Sequence, residues 1–287
     1  MKRKPLHVIV MMIAVLLTAA FAGQAMAQQK TTQIAYVEWS CATASANVVK
    51  AVLEEKMNYK VELIPVSAAA MWQALATGDV DAITTAWLPT THQHYYEKLK
   101  DDVEKLGHNL VGTRIGLVVP TYVTIDSIGE MNAHADKFDG QITGIDPGAG
   151  IMSKTEEAIE KYNLTDMELM ESSGAMMTAV LQDKINKKDW VVVTGWTPHW
   201  KFGKWDLKYL DDPKGVYGGD EYIDTVVRKG LKEDKPDLYA FLNNFKWTPA
   251  DIQTVMAWNQ EKDMNPEKSA KKWVNENPDK VAVWLPK

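Results

Sequence analysis

Several things are scarce in this sequence. A single cysteine, Cys41, rules out an intramolecular disulfide and any cysteine-based zinc site. Runs of basic residues are missing, and the formal net charge is −6, which argues against nucleic-acid binding. Patterns of catalysis are absent as well. There is no P-loop, no Gly-x-Gly-x-x-Gly, no His-Glu-x-x-His and no nucleophile elbow; Ser172-Ser173-Gly174 does not make one. His92-Gln93-His94 offers two metal ligands without an evident third or fourth. Cys41 is the only thiol and has no obvious base. The chain therefore reads as a binder rather than a catalyst, with no cofactor called for.

Only one apolar stretch is long, and it lies at the start. Lys2, Arg3 and Lys4 precede the apolar run Val8–Ala22, and Ala25-Met26-Ala27 fits a small-x-small cleavage site. Residues 1–27 are expected to be a secretory signal peptide, with Gln28 as the mature N-terminus. A retained anchor is the competing reading, but the run is short for a membrane span. Losing three cations and no acid takes the net charge from −6 to −9. With no cysteine at the cleavage site to carry a lipid, this implies a soluble protein of the periplasm, without stable membrane insertion.

Tryptophan, by contrast, is plentiful: 11 against 5 phenylalanines. Cores are filled mainly by Leu, Ile, Val and Phe, so the excess points to rings used as contact surface. Three of them follow predicted strands. The run Ala82-Ile83-Thr84-Thr85 leads to Trp87-Leu88-Pro89-Thr90-Thr91-His92, and Pro89 ends the ladder. An echo follows Val191-Val192-Val193: Thr194-Gly195-Trp196-Thr197-Pro198-His199. Trp39 closes a third, alternating segment, Gln33–Glu38.

Around these runs the chain alternates strand and helix twice. In the first half, strands at 33–38, 60–66 and 81–86 enclose helices at 44–56 and 68–77, the second stopping at Gly78. In the second, strands at 141–145, 167–171 and 190–194 enclose helices at 152–162 and 174–184. Arg114–Pro120 reads as the crossing out of the first half, and Asp224–Lys229 as the crossing back. Helices at 235–243, 249–258 and 266–275 follow, each opened by a proline or Thr-Pro signal. Such alternation implies parallel sheets with helices on both faces, and ligands sit at the carboxyl ends of such strands.

Three indole faces at one cleft would make a box for a quaternary ammonium, worth about 2 kcal/mol per ring when desolvated. Trp72, Trp190, Trp200 and Trp205, and the C-terminal Trp247, Trp258, Trp273 and Trp284, are expected to be packing residues. The turn Asp146-Pro147-Gly148-Ala149-Gly150-Ile151 enters a helix and exposes backbone N–H groups at its positive end, an anion site. His92 could donate a hydrogen bond to that anion. His199 is an equal candidate by sequence alone, and Glu38 could compensate a cation.

Taken together, Ala86–His92, Ile145–Met152 and Thr194–Trp200 resemble the glycine betaine and proline betaine substrate-binding proteins of ABC transporters, the OpuAC-like group. Tyr209–Lys214 and Thr225–Gly230 are similar to that group as well. The resemblance covers essentially the whole mature chain. It implies an α/β, two-lobed periplasmic binding protein fold of class II, each lobe a mostly parallel sheet flanked by helices, with the ligand in the cleft. It places lobe one at 28–118 and 225–287, lobe two at 119–224. By resemblance, Trp39, Trp87 and Trp196 cage a trimethylammonium, while His92 and the backbone amides of Gly150 and Ile151 hold a carboxylate. The implied partners are a quaternary ammonium ligand and a permease with its ATPase subunits, with the receptor acting as a monomer. One departure stands out: after the first cage tryptophan the family often carries an acidic, polar run, whereas this chain has Ser40-Cys41-Ala42. The ligand class is thus a betaine, with choline, carnitine or trimethylamine N-oxide as alternatives. An exported enzyme acting on methylated amines is the reading from another class.

Overall fold

The strand–helix alternation builds two similar half-sheets joined edge to edge. The computed structural model describes residues 29–287; the expected signal peptide lies outside them. In the first half, β1 (Lys30–Tyr36) is parallel to both β2 (Tyr59–Pro65) and β3 (Ala82–Leu88). Helices α1 (Ser40–Met57) and α2 (Ala68–Thr77) make the crossovers. In the second half, β5 (Gln141–Thr143) is parallel to β6 (Glu168–Met170) and β7 (Val193–Thr197), with α4 (Gly150–Tyr162) and α5 (Gly174–Lys187) as crossovers. The short α3 (Gln93–Leu99) follows β3.

Two long strands join the halves. β4 runs from Val103 to Pro120 and β9 from Glu221 to Arg228, both antiparallel to their neighbours. β4 pairs with β9 from Val103 to Thr113, then with β7 from Arg114 to Val118. A single strand therefore passes from one half-sheet to the other at Thr113–Arg114, and the resulting order is β2-β1-β3-β9-β4-β7-β5-β6, with β8 (Leu207–Tyr209) against β4. Only the end of β4 is legible in the sequence. Its first part is broken by three register shifts against β9, at Leu106, Asn109 and Gly112, so strict apolar alternation fails there.

The helix entered after Trp39 begins at Ser40, not Ala44, and β1 ends at Tyr36. Trp39 is thus the N-cap residue of α1, held in extended backbone, rather than a strand end. The C-terminal helices Pro236–Asn244, Pro249–Trp258 and Pro266–Glu276 each start on proline, where a missing N–H costs nothing. One more, Pro278–Trp284, was not expected from the sequence. Trp247, Trp273 and Trp284 pack together there in the core.

Asp81 fastens the first half. Its buried carboxylate accepts from Thr32 Oγ1 (2.8 Å), Gln33 N (3.2 Å), Arg228 Nε (3.0 Å) and Lys235 Nζ (2.7 Å). Burial alone would raise its pKa, but Lys235, Thr32 and Arg228 hold it below the usual carboxylate range. This one group ties β1, β3 and β9 to the chain's return.

Candidate functional site

Both strand–Trp–x–Pro edges end in a cis X–Pro bond, Leu88-Pro89 and Thr197-Pro198, and both deliver their tryptophan to the same place. Trp39, Trp87 and Trp196 line one small cavity between the halves, with Ile115, Ile145 and Cys41 completing its apolar wall. Gly150 and Ile151 line it too, beside Thr91. Five of the six residues singled out in the sequence therefore meet at one cavity.

The sixth, His92, is fully buried but does not line it. Its ring lies 5.6 Å from that of Trp39. The Trp87 backbone N–H donates to His92 Nδ1 at 3.2 Å, so the ring proton sits on Nε2, which is buried without a partner. Burial, with His94 nearby, pushes the imidazole down to about 3. His92 is thus a neutral donor with one N–H unspent. His199 lies edge-on to Trp196 at 4.7 Å, and its Nδ1 accepts from the Lys201 backbone at 3.1 Å. It braces the second tryptophan and does not line the cavity. His92 and His94 belong to no metal-holding cluster among the described residues.

The turn Asp146–Ile151 leads into α4, which starts at Gly150 rather than at Met152. Ala149 precedes α4 in extended backbone, and no side chain caps the helix. The N–H groups of Gly150 and Ile151, at the first helical positions, have no intrahelical partner. Gly150 is required by closeness: a Cβ there would stand 1.9 Å from the Thr91 carbonyl oxygen across the cleft.

Contacts across the cleft show the halves closed on the cavity. Trp39 Nε1 donates to Asp146 Oδ1 at 2.7 Å, Tyr95 Oη to the Gly148 carbonyl at 2.8 Å, and Trp200 Nε1 to Ser40 Oγ at 3.2 Å. Trp200, expected as packing, is therefore a cross-cleft donor. Behind the turn after β3, Glu221 accepts from Thr90 N (2.9 Å), Thr91 N (2.7 Å) and Thr91 Oγ1 (2.6 Å). Sequence reasoning missed Asp146, Glu221 and Ile115. Asp146 stood within the quoted turn, but its partner is 107 residues away. Cys41 is buried, which pushes its thiol up to about 12 and leaves it unreactive.

A two-lobed α/β fold closed over a cavity in its cleft is that of the periplasmic binding proteins. The chain belongs to the OpuAC family, described as the substrate binding domain of the ABC-type glycine betaine transport system, which matches residues 30–276. Its fold is similar to that of the glycine betaine, L-proline-binding protein ProX of Borrelia burgdorferi: 40% identity, 90% of this chain and 97% of that one covered, TM-score 0.87. It is equally similar to lactococcal OpuAC, solved in a closed conformation with glycine betaine: 40% identity, 90% and 100% covered, TM-score 0.85. Part of the chain is 57% identical over 151 residues to the glycine betaine/carnitine transport binding protein GbuC of Listeria monocytogenes. That match spans 52% of this chain and about half of the relative (50%). These relatives are transport proteins, not enzymes.

Proposed function

We propose that this protein captures glycine betaine, or a closely related betaine, and hands it to a membrane permease driven by ATPase subunits. The observation that carries this reading is the cavity itself, lined both by three indole rings and by the first residues of a helix, Gly150 and Ile151. A trimethylammonium has no N–H to donate, so π faces stabilise it without leaving a donor unpaired. The carboxylate goes to the amides of Gly150 and Ile151, which offer N–H groups at the positive end of α4. His92, outside the cavity wall and 5.6 Å from Trp39, keeps an unpaired Nε2–H and is, as the family resemblance implies, the remaining donor for it.

The joint between the lobes, expected from the sequence at 118/119 and 224/225, is better set where β4 changes partner and where β9 begins at Glu221, because Arg114–Val118 pairs with β7 of the second half. The change of pairing at Thr113–Arg114 is where β4 would flex. Export by the N-terminal signal places the mature chain in the periplasm, as a monomer.

Isothermal titration against glycine betaine, dimethylglycine, carnitine and trimethylamine N-oxide tests the reading. Dimethylglycine carries an N–H that would lose its water in a box without acceptors. It should bind at least about fivefold more weakly than glycine betaine, since an unpaired buried donor costs roughly 1–3 kcal/mol. Equal affinities would rule out the cage.

A further inference from the structure

A lysine is buried behind the cage. Lys201, at the start of the short helix Lys201–Lys204, has no exposed surface. Its Nζ lies over the Trp196 ring, 4.8 Å from the centroid, and donates to the Thr194 carbonyl at 3.2 Å. It does not line the cavity, whereas Trp196 does. An ammonium has three donors, and this one has a single carbonyl acceptor and no ion pair among the described residues.

The geometry points to Lys201 as a specificity determinant: its charge behind Trp196 selects a zwitterionic ligand over a purely cationic one. This rests on the quaternary ammonium reading of the cavity. A trimethylammonium against the cavity side of Trp196 would sit about 10 Å from Nζ, given a ring contact of about 6 Å or less. Both cations would draw on the same π density. Their repulsion in a protein interior weakens a ligand of charge +1 by about tenfold. In a betaine the carboxylate opposes that repulsion, leaving an effect of about twofold.

The groups facing Lys201 do not share its titration. Cys41 is pushed up to about 12, and burial, with the Lys201 charge second, holds His199 well below its ordinary value. Lys201 itself is brought down by burial to about 7, so its charge changes in the range where a binding protein works. Protonated, it discriminates; neutral, it does not.

The test uses the full mature chain with glycine betaine and choline, neither of which titrates between pH 6 and pH 8.5. In the wild type, choline should bind about fivefold more weakly at pH 6 than at pH 8.5, while glycine betaine changes by about twofold or less. Lys201→Met keeps an unbranched apolar side chain at the site. It should remove the pH dependence and bring choline closer to glycine betaine at pH 6. A wild-type choline affinity that ignores pH overturns the proposal without any variant. So does a pH dependence that survives in Lys201→Met, or a variant whose choline-to-betaine affinity ratio at pH 6 is the same as the wild type's. If glycine betaine fails to bind the wild type at either pH, the betaine reading falls and takes this inference with it. If glycine betaine binds and only the choline ratio stays flat, the inference alone falls.

Discussion

The two strand–Trp–x–Pro edges are near copies in sequence and in backbone, yet opposite in their support. Behind Trp87 stands an acid: the Glu221 carboxylate accepts from Thr90 and Thr91 and fixes the turn. Behind Trp196 stands a buried base, Lys201. Their histidines differ too. His92 comes five residues after its tryptophan and takes that residue's own backbone N–H. His199 comes three residues after, and takes the Lys201 N–H. The lesson is that one local pattern can deliver two equivalent rings while the charges packed behind them differentiate the lobes.

If the lobes close on each other as described, blocking their closest approach should do the most damage. Gly150→Ala puts a methyl into the Thr91 backbone. We expect glycine betaine affinity to fall at least about a hundredfold, because one lobe alone makes only half the contacts. Small-angle scattering should then show no compaction on adding ligand, with the unliganded fold unchanged. Normal closure of this variant would remove the glycine from the interface.

The buried base makes the second edge a source of instability. An unfolded lysine keeps its proton up to pH of about 10.4, while Lys201 in the fold releases it at about 7. Between these values the unfolded chain binds more protons, so stability attributable to this site rises with pH and its cost is greatest below 7. Lys201→Met should therefore stabilise the fold most at pH 6, by on the order of a few kcal/mol of unfolding free energy, and little at pH 10, as read by denaturant unfolding. A stabilisation that does not shrink as pH rises would show that Lys201 keeps its proton in the fold as it does in the unfolded chain.

Trp196→Ala should remove the cage wall of the second lobe and lose about 2 kcal/mol of binding, near thirtyfold in Kd. Titration calorimetry would read it directly, and unchanged affinity would take Trp196 out of the site. The smallest effect belongs to the first edge. His92→Ala should cost about 1.5 kcal/mol through loss of the Nε2–H donor to a carboxylate. As burial keeps this histidine neutral down to about pH 3, the wild-type loss of binding should not appear between pH 5 and 6. An affinity change on acidification centred near pH 6.5 that is lost in His92→Ala would mean that the ring titrates at its ordinary value rather than being held neutral by burial.

Much of this was readable from the chain. β-branched runs closed by proline located Trp87 and Trp196, because strand propensity and the missing proline N–H are local properties. The glycine turn before α4 announced an uncapped helix N-terminus for the same reason. What resisted reading was of two kinds. The first part of β4 was missed because its bulges break the two-residue period. Trp39 was placed at a strand end, though it caps a helix, because Glu38 and Trp39 continue the alternation after the ladder has stopped at Tyr36.

The sequence by itself determined the class of fold and the residues that bring rings and amides to the carboxyl ends of strands, since those follow from short-range periodicity and turn chemistry. Tertiary structure alone decided that Trp39 would donate to Asp146, that Thr91 would press on Gly150, and that Lys201 would be buried behind Trp196. Each of those depends on which surfaces meet when β4 and β9 join the two half-sheets. Burial of a charge, unlike the pitch of a helix, is a property of the neighbours that the whole fold supplies.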